Sequence, residues 1–152
     1  MKAESRSRPD GVTLARTRGL ESSLKRRFGR IEARLSYTRS QGENVTDGTP
    51  LTAVPRDVAN VGVDYRFNDR VSSYVSALHT GVQVVDDAGT KLDLDPYTVV
   101  NAGGTYVLPR AWMENSKVGF GVQNLANLGL DNRYGYGELG RRYYLRLQVE
   151  TR

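Results

Sequence analysis

Four aspartates fall within a short stretch, Asp86, Asp87, Asp93 and Asp95, and carboxylate oxygens are what a hard divalent cation prefers. Their spacing is not that of an EF-hand loop, and a solvated acidic loop accounts for them equally well, so no metal site is assigned. There is no cysteine and a single histidine, His79, which excludes thiolate zinc sites, thiol nucleophiles and histidine-rich metal sites. Gly103-Gly104 lacks both the Gly-rich loop pattern and the following helix that cradling a phosphate requires. No catalytic constellation stands out. The expectation is a chain that is not an enzyme, with no cofactor and no assignable catalytic, metal or ligand-binding residue. Cations crowd the front of the chain: residues 1–39 hold eleven Lys or Arg against four acids, a local balance of +7, within a total of +5. Aromatic residues do not interleave with that basic run as stacking platforms would, so no nucleic-acid partner is expected.

The elements that would carry these residues read with period two. Ile31, Ala33, Leu35 and Tyr37 share one face, with Arg30, Glu32, Arg34 and Ser36 on the other. The same alternation sets Ala59, Val61, Val63, Tyr65 and Phe67 against Asn60, Gly62, Asp64 and Arg66. It recurs over Val100–Leu108 and Lys117–Gln123, and most cleanly where Tyr143, Leu145, Leu147 and Val149 oppose Arg142, Tyr144, Arg146, Gln148 and Glu150. Successive strand side chains point to opposite faces of a sheet, so these are strands. Weaker candidates near Thr17–Arg26 and Val71–Val82 bring the number to about seven, with no convincing helix. The chain is 152 residues long and 38% hydrophobic, with no apolar run long enough for a transmembrane helix. A transmembrane barrel remains open, because alternating strands average to a polar score.

Connections between these strands alternate in length. The first pair joins through Arg27, Phe28 and Gly29, and Asn68-Asp69 makes a second tight turn. Long segments, Ser40–Pro55, Gln83–Asp95 and Asn127–Gly140, lie between, and Pro109–Ser116 is of moderate length. Short turns at one end and long loops at the other are the habit of outer-membrane barrels. On that reading Tyr65, Phe67 and Tyr106 sit near the periplasmic interface and Tyr37, Tyr97 and Tyr143 near the outer one, forming two aromatic girdles. Arg34, Asp64, Arg66, Arg146 and Glu150 would line a wet lumen, where charge costs little. Arg34, Arg66 and Arg146 are expected to pair with Glu32, Asp64 and Glu150, although they could also attract an anionic ligand. His79 reads as a lumen or interface residue rather than a ligand.

Several stretches together resemble the C-terminal part of the barrel of a TonB-dependent outer-membrane receptor. They are Thr17-Arg18-Gly19-Leu20-Glu21, Gly48-Thr49-Pro50-Leu51 with Val54-Pro55-Arg56, and Val63-Asp64-Tyr65-Arg66-Phe67. Further on come Tyr97-Thr98-Val99-Val100-Asn101-Ala102-Gly103, Val122-Gln123-Asn124-Leu125-Ala126-Asn127, Tyr134-Gly135-Tyr136, and Gly140-Arg141-Arg142-Tyr143-Tyr144-Leu145. Their order and spacing over residues 15–151, rather than any single motif, carry the resemblance. Asn124-Leu125 matches a family motif whose expected role is strand-end geometry and hydrogen bonding.

The resemblance implies an all-β, antiparallel up-and-down meander of about seven transmembrane strands, part of a larger barrel of about 22 strands. Residues 1–14 are predicted to be a disordered or poorly ordered lead, and 15–152 the C-terminal barrel segment. The implied function is TonB-energised uptake of a scarce ligand such as a ferric siderophore at the cell outer membrane of a Gram-negative bacterium. The implied partners are outer-membrane lipid, the rest of the barrel with its plug, the TonB complex and the ligand. No TonB box or plug is recognisable, and the chain closes on Val149-Glu150-Thr151-Arg152 where the family usually closes on an aromatic residue. Strand parity also asks for a preceding strand. A fragment of a receptor is therefore expected, with Met1 an internal or artificial start. The alternative is a soluble or small membrane β-domain that binds an anionic partner through its basic N-terminal half.

Overall fold

A computed structural model describes residues 14–46, 48–87, 90–109, 116–129 and 140–149. It is all-β among those residues, with no helix. The strands are β1 (Ala15–Phe28), β2 (Ile31–Asn44), β3 (Thr49–Pro50), β4 (Asp57–Arg66), β5 (Val71–Thr80), β6 (Gln83–Asp87), β7 (Thr90–Leu94), β8 (Tyr97–Val107), β9 (Lys117–Gln123) and β10 (Arg142–Gln148). The main sheet runs β1-β2-β4-β5-β8-β9-β10, every neighbour antiparallel, and β3 adds a short pairing to β2. The expected seven-strand meander is thus present, and β6 and β7 form a hairpin of their own.

The register turns period two into continuous faces, because residues directly opposite one another share a face. Leu35 stands opposite Leu24 and Val61, Val61 opposite Ala77, and Ala77 opposite Val100. Ala102 then stands opposite Val122, Phe120 opposite Leu145, and Val118 opposite Leu147. One apolar face therefore runs unbroken across all seven strands. Among the described residues no second layer covers it: Leu145 is 78% exposed and Val75 54%. The other face carries Ser, Asn, Gly, Tyr and most of the charged side chains, while Arg16, Arg18, Arg26, Arg39, Glu43 and Asp57 stand on the apolar side toward its two ends.

Turn chemistry fixes one end. Phe28 pairs with Ile31, so the first turn is Gly29-Arg30 rather than Arg27 to Gly29. Gly29 takes a φ of 57°, which is favourable only without a β-carbon. The Asn68 side chain accepts the N–H groups of Arg70 at 2.8 Å and Val71 at 2.9 Å, an Asx turn that closes β4 onto β5.

The other end departs further from expectation. β1 and β2 are fourteen residues each, so β2 continues through the start of the expected Ser40–Pro55 loop. The expected loop Gln83–Asp95 is mostly the β6–β7 hairpin. Aspartates are poor strand formers and masked it in sequence, but Val84, Val85 and Leu94 are buried within it. These three are the buried hydrophobic residues among those described. The preceding loop is bonded to this unit: Ala53 N–H donates to Val84 O at 2.7 Å, and Arg56 N–H to Val82 O at 3.0 Å. Residues 1–13 of the expected lead lie outside the described residues, and Leu14 O accepts the Val45 N–H at 2.8 Å.

Candidate functional site

The polar face is the candidate site. Register places Lys25 and Arg27 of β1 opposite Arg34 and Glu32 of β2, and Glu32 opposite Asp64 of β4. Glu32 sits at the centre, 2.9 Å from Lys25 and 3.0 Å from Arg27, with Arg34 at 4.0 Å. Arg34 also donates to Asp64. The expected contacts of Arg34 are therefore present, and Asp64 is held by Arg34 rather than by Arg66. Sequence reasoning missed the grip of Lys25 and Arg27 on Glu32, because β1 alternates weakly and its register was not legible. Arg146 lies on the same face, opposite Gly119; its expected partner Glu150 lies outside the described residues.

A hollow of about 490 Å³ opens beside this cluster, lined by Ser23, Lys25, Arg34, Ser36, Asn60 and Tyr74 among others. Tyr74 of that lining also begins a cross-strand row: Tyr74 (β5), Gly103 (β8), Gly121 (β9) and Tyr144 (β10) stand opposite one another in turn. The two tyrosines lean over the glycines until their hydroxyls meet at 2.8 Å. The glycines are what make room. A Cβ on Gly103 would lie 2.5 Å from Phe120 O and 2.8 Å from the Tyr74 ring, and one on Gly121 2.7 Å from Ala102 O and from the Tyr144 ring. Gly103-Gly104 therefore serve strand packing rather than phosphate binding.

The remaining sequence candidates separate. His79 lies on the apolar face at the loop end, in the row of Tyr37 and Ala59, with Nδ1 3.0 Å from Thr98 Oγ1. Asp86 and Asp87 fall in β6, Asp93 in β7 and Asp95 just after it. The described residues hold no group of three or more His, Cys, Asp or Glu placed to bind a metal. Asn124, 5% exposed, ends β9 with a φ of 54°. It receives Leu128 N–H at 2.9 Å and donates Nδ2 to Leu128 O at 2.8 Å. Asn127 Oδ1 accepts Arg141 N–H at 2.8 Å, so the Asn124-Leu125 motif does shape a strand end.

The aromatic residues of the apolar face fall at its two ends. Tyr65 and Phe67 meet edge-on with centroids 4.7 Å apart, and Arg26 lies over the Phe28 ring at 5.7 Å, all at the turn end. Tyr37 and Tyr143 lie toward the loop end. Tyr97 is a correction: it stands opposite Thr80 on the polar face, because the strand alternation shifts its side chain away from the apolar row of Thr98 and Val100.

A face this apolar and this exposed needs hydrocarbon, and the comparisons with known proteins agree. The sequence profile described as TonB dependent receptor-like, beta-barrel matches residues 7–125. Iron-regulated outer membrane virulence proteins from two strains of Vibrio cholerae serotype O1 are each 28% identical over 143 residues, which is 89% of this chain and 21% of theirs. Among solved structures, a mutant ferric enterobactin receptor from Pseudomonas aeruginosa, in complex with enterobactin, superposes with a TM-score of 0.71 at 24% identity. That superposition covers 85% of this chain and 22% of the receptor. The chain thus spans about a fifth of the length of the curated relatives it matches. The soluble alternative is disfavoured by the uncovered apolar face, and the matched family is one of receptors, not of enzymes. The chain belongs to the family of TonB-dependent receptor-like β-barrels of the bacterial outer membrane.

Proposed function

We propose that this chain forms part of the wall of an outer-membrane receptor that takes up a ferric siderophore, driven from the inner membrane through TonB. One observation carries the ligand class: the excess positive charge of the inward face. Within the paired strands that face presents Lys25, Arg27, Arg34, Arg66, Lys117, Arg142 and Arg146 against Glu21, Glu32 and Asp64, an excess of four positive charges. A lumen walled by low dielectric focuses such a field and raises the local concentration of an anion. Ferric siderophore complexes are frequently anionic, and the relatives point the same way: one is iron-regulated by name, the other holds enterobactin. The plug and the remaining strands of the receptor would complete the lumen around the ligand.

Radio-iron uptake tests the reading. Cells whose receptor carries this wall should accumulate iron from an anionic siderophore, and lose that uptake when tonB is deleted. Uptake that persists without TonB, or a receptor that accumulates only uncharged or cationic ligands, would refute it.

A further inference from the structure

Charge changes sides along the first hairpin. Near the turn, Lys25, Arg27, Glu32 and Arg34 face the lumen, and of the paired charges there Arg26 faces outward, over the Phe28 ring. Beyond the pair Glu21–Thr38 the lumenal positions are Gly19, Ser40, Thr17, Gly42, Ala15 and Asn44, none of them charged. The charged residues there, Arg39, Arg18, Arg16 and Glu43, all share the outward face with Leu20, Leu24 and Leu35. Water on both sides of a hairpin gives no reason for such sorting. The outward face is continuous with the lipid-facing band below it, and its loop end is the outer end. These arginines therefore stand at the height of the outer-leaflet headgroups.

A hollow of about 270 Å³ opens there, lined by Arg16, Arg18, Gln41, Glu43, Gly48 and Pro50 among others. Arg16 is held by Glu43 at 3.6 Å, both side chains half exposed. Arg39 stands opposite Asp57 in the register, and Arg18 makes no ion pair among the described residues. Three guanidinium groups against two carboxylates leave a net positive patch, and a guanidinium presents paired N–H donors that match phosphate oxygens. Arginine is also weakly hydrated for a cation, which suits the boundary between headgroup and hydrocarbon.

We propose that Arg18, flanked by Arg16, Arg39 and Gln41, is an outward-facing binding site for a phosphate group of lipopolysaccharide, the phosphorylated glycolipid of the outer leaflet. The inference rests on the membrane placement of the wall and not on uptake, so the two can fail separately. The intact receptor carrying this chain is purified from outer membranes in mild detergent, and lipopolysaccharide per folded barrel is measured through its hydroxylated fatty acids. Arg16→Gln/Arg18→Gln/Arg39→Gln should lower retained lipopolysaccharide at least threefold while iron uptake and heat-modifiable mobility stay as in the parent. Arg18→Lys should keep at least half of it, and the lumenal pair Lys25→Gln/Arg27→Gln should keep all of it. If the triple variant does not fold, Arg18→Gln alone should still lower retention about twofold. Unchanged retention in the outward variants, equal loss in the lumenal pair, or equal arginine-dependent retention of added phosphatidylglycerol would overturn the assignment.

Discussion

The wall and the β6–β7 hairpin solve the same problem in opposite ways. The hairpin buries Val84 on one face and Val85 and Leu94 on the other, each of them no more than 8% exposed. The seven-strand wall leaves Val61, Val63, Phe120, Leu145 and Leu147 uncovered on its outward side. Burial of apolar surface stabilises both, but for the wall the apolar phase is the bilayer and for the hairpin it is the protein itself. The wall should therefore respond to the polarity of a substitution and the hairpin to its volume.

The largest expected effect lies on the outward face of the wall. Val63→Arg puts a charge into hydrocarbon at a cost of roughly 2–4 kcal/mol near the membrane midplane. The expected result is a clear drop in urea resistance of the folded receptor in phospholipid vesicles, with Val63→Leu near neutral. Equal behaviour of the two variants would mean that this face is not in lipid.

Leu94→Ala comes next. A truncated buried leucine costs about 2–3 kcal/mol where its surroundings partly collapse, and here the loss should stay local. Hydrogen exchange should quicken at Ala53 and Arg56, whose N–H groups donate into β6 and the residue before it, while the wall strands keep their protection. Faster exchange throughout the wall would show that hairpin and wall unfold as one.

Gly121→Val tests the inner side of the wall, where a side chain has no room beside Ala102 O and the Tyr144 ring. Overpacking of this kind costs roughly 1–3 kcal/mol. The midpoint of urea unfolding should fall in vesicles, whereas Gly119→Ala, with nothing nearer than 3.9 Å, should not lower it. Tyr74→Phe removes one hydroxyl from the pair over those glycines and should cost about 0.5–1.5 kcal/mol, measured the same way. The smallest effect is expected at Arg27→Gln. An ion pair this exposed contributes little and is screened by salt, so the unfolding midpoint at 0.15 M salt should not move measurably.

The two regions also differ in how legible they were. The wall follows from alternation alone: the outward rows over Ile31–Tyr37, Ala59–Phe67 and Tyr143–Leu147 are those that period two marks. The hairpin was hidden because four aspartates interrupt its apolar residues Val84, Val85, Leu92 and Leu94, and no local pattern reports which of these are buried. Tyr97 was misplaced because it was placed by its height along the strand, whereas period two, counted from Val100 and Ala102, already puts it on the polar face. The lumenal Glu32 cluster needed the register of β1, whose Arg-rich sequence alternates poorly. A row such as Tyr74-Gly103-Gly121-Tyr144 is spread over four strands, and no local pattern reports it.

The central claim is that one face meets lipid and the other a polar lumen, and adjacent residues of β10 test it most directly. Leu145 stands 78% exposed on the outward side, and Arg146 lies opposite Gly119 on the inward side. Heat-modifiable gel mobility of the receptor in outer-membrane preparations reports the folded fraction of each variant. Leu145→Arg should lose most of its folded band, while Arg146→Leu should assemble close to the parent level. Equal loss in both variants, or a greater loss in Arg146→Leu, would show that the faces are assigned the wrong way round.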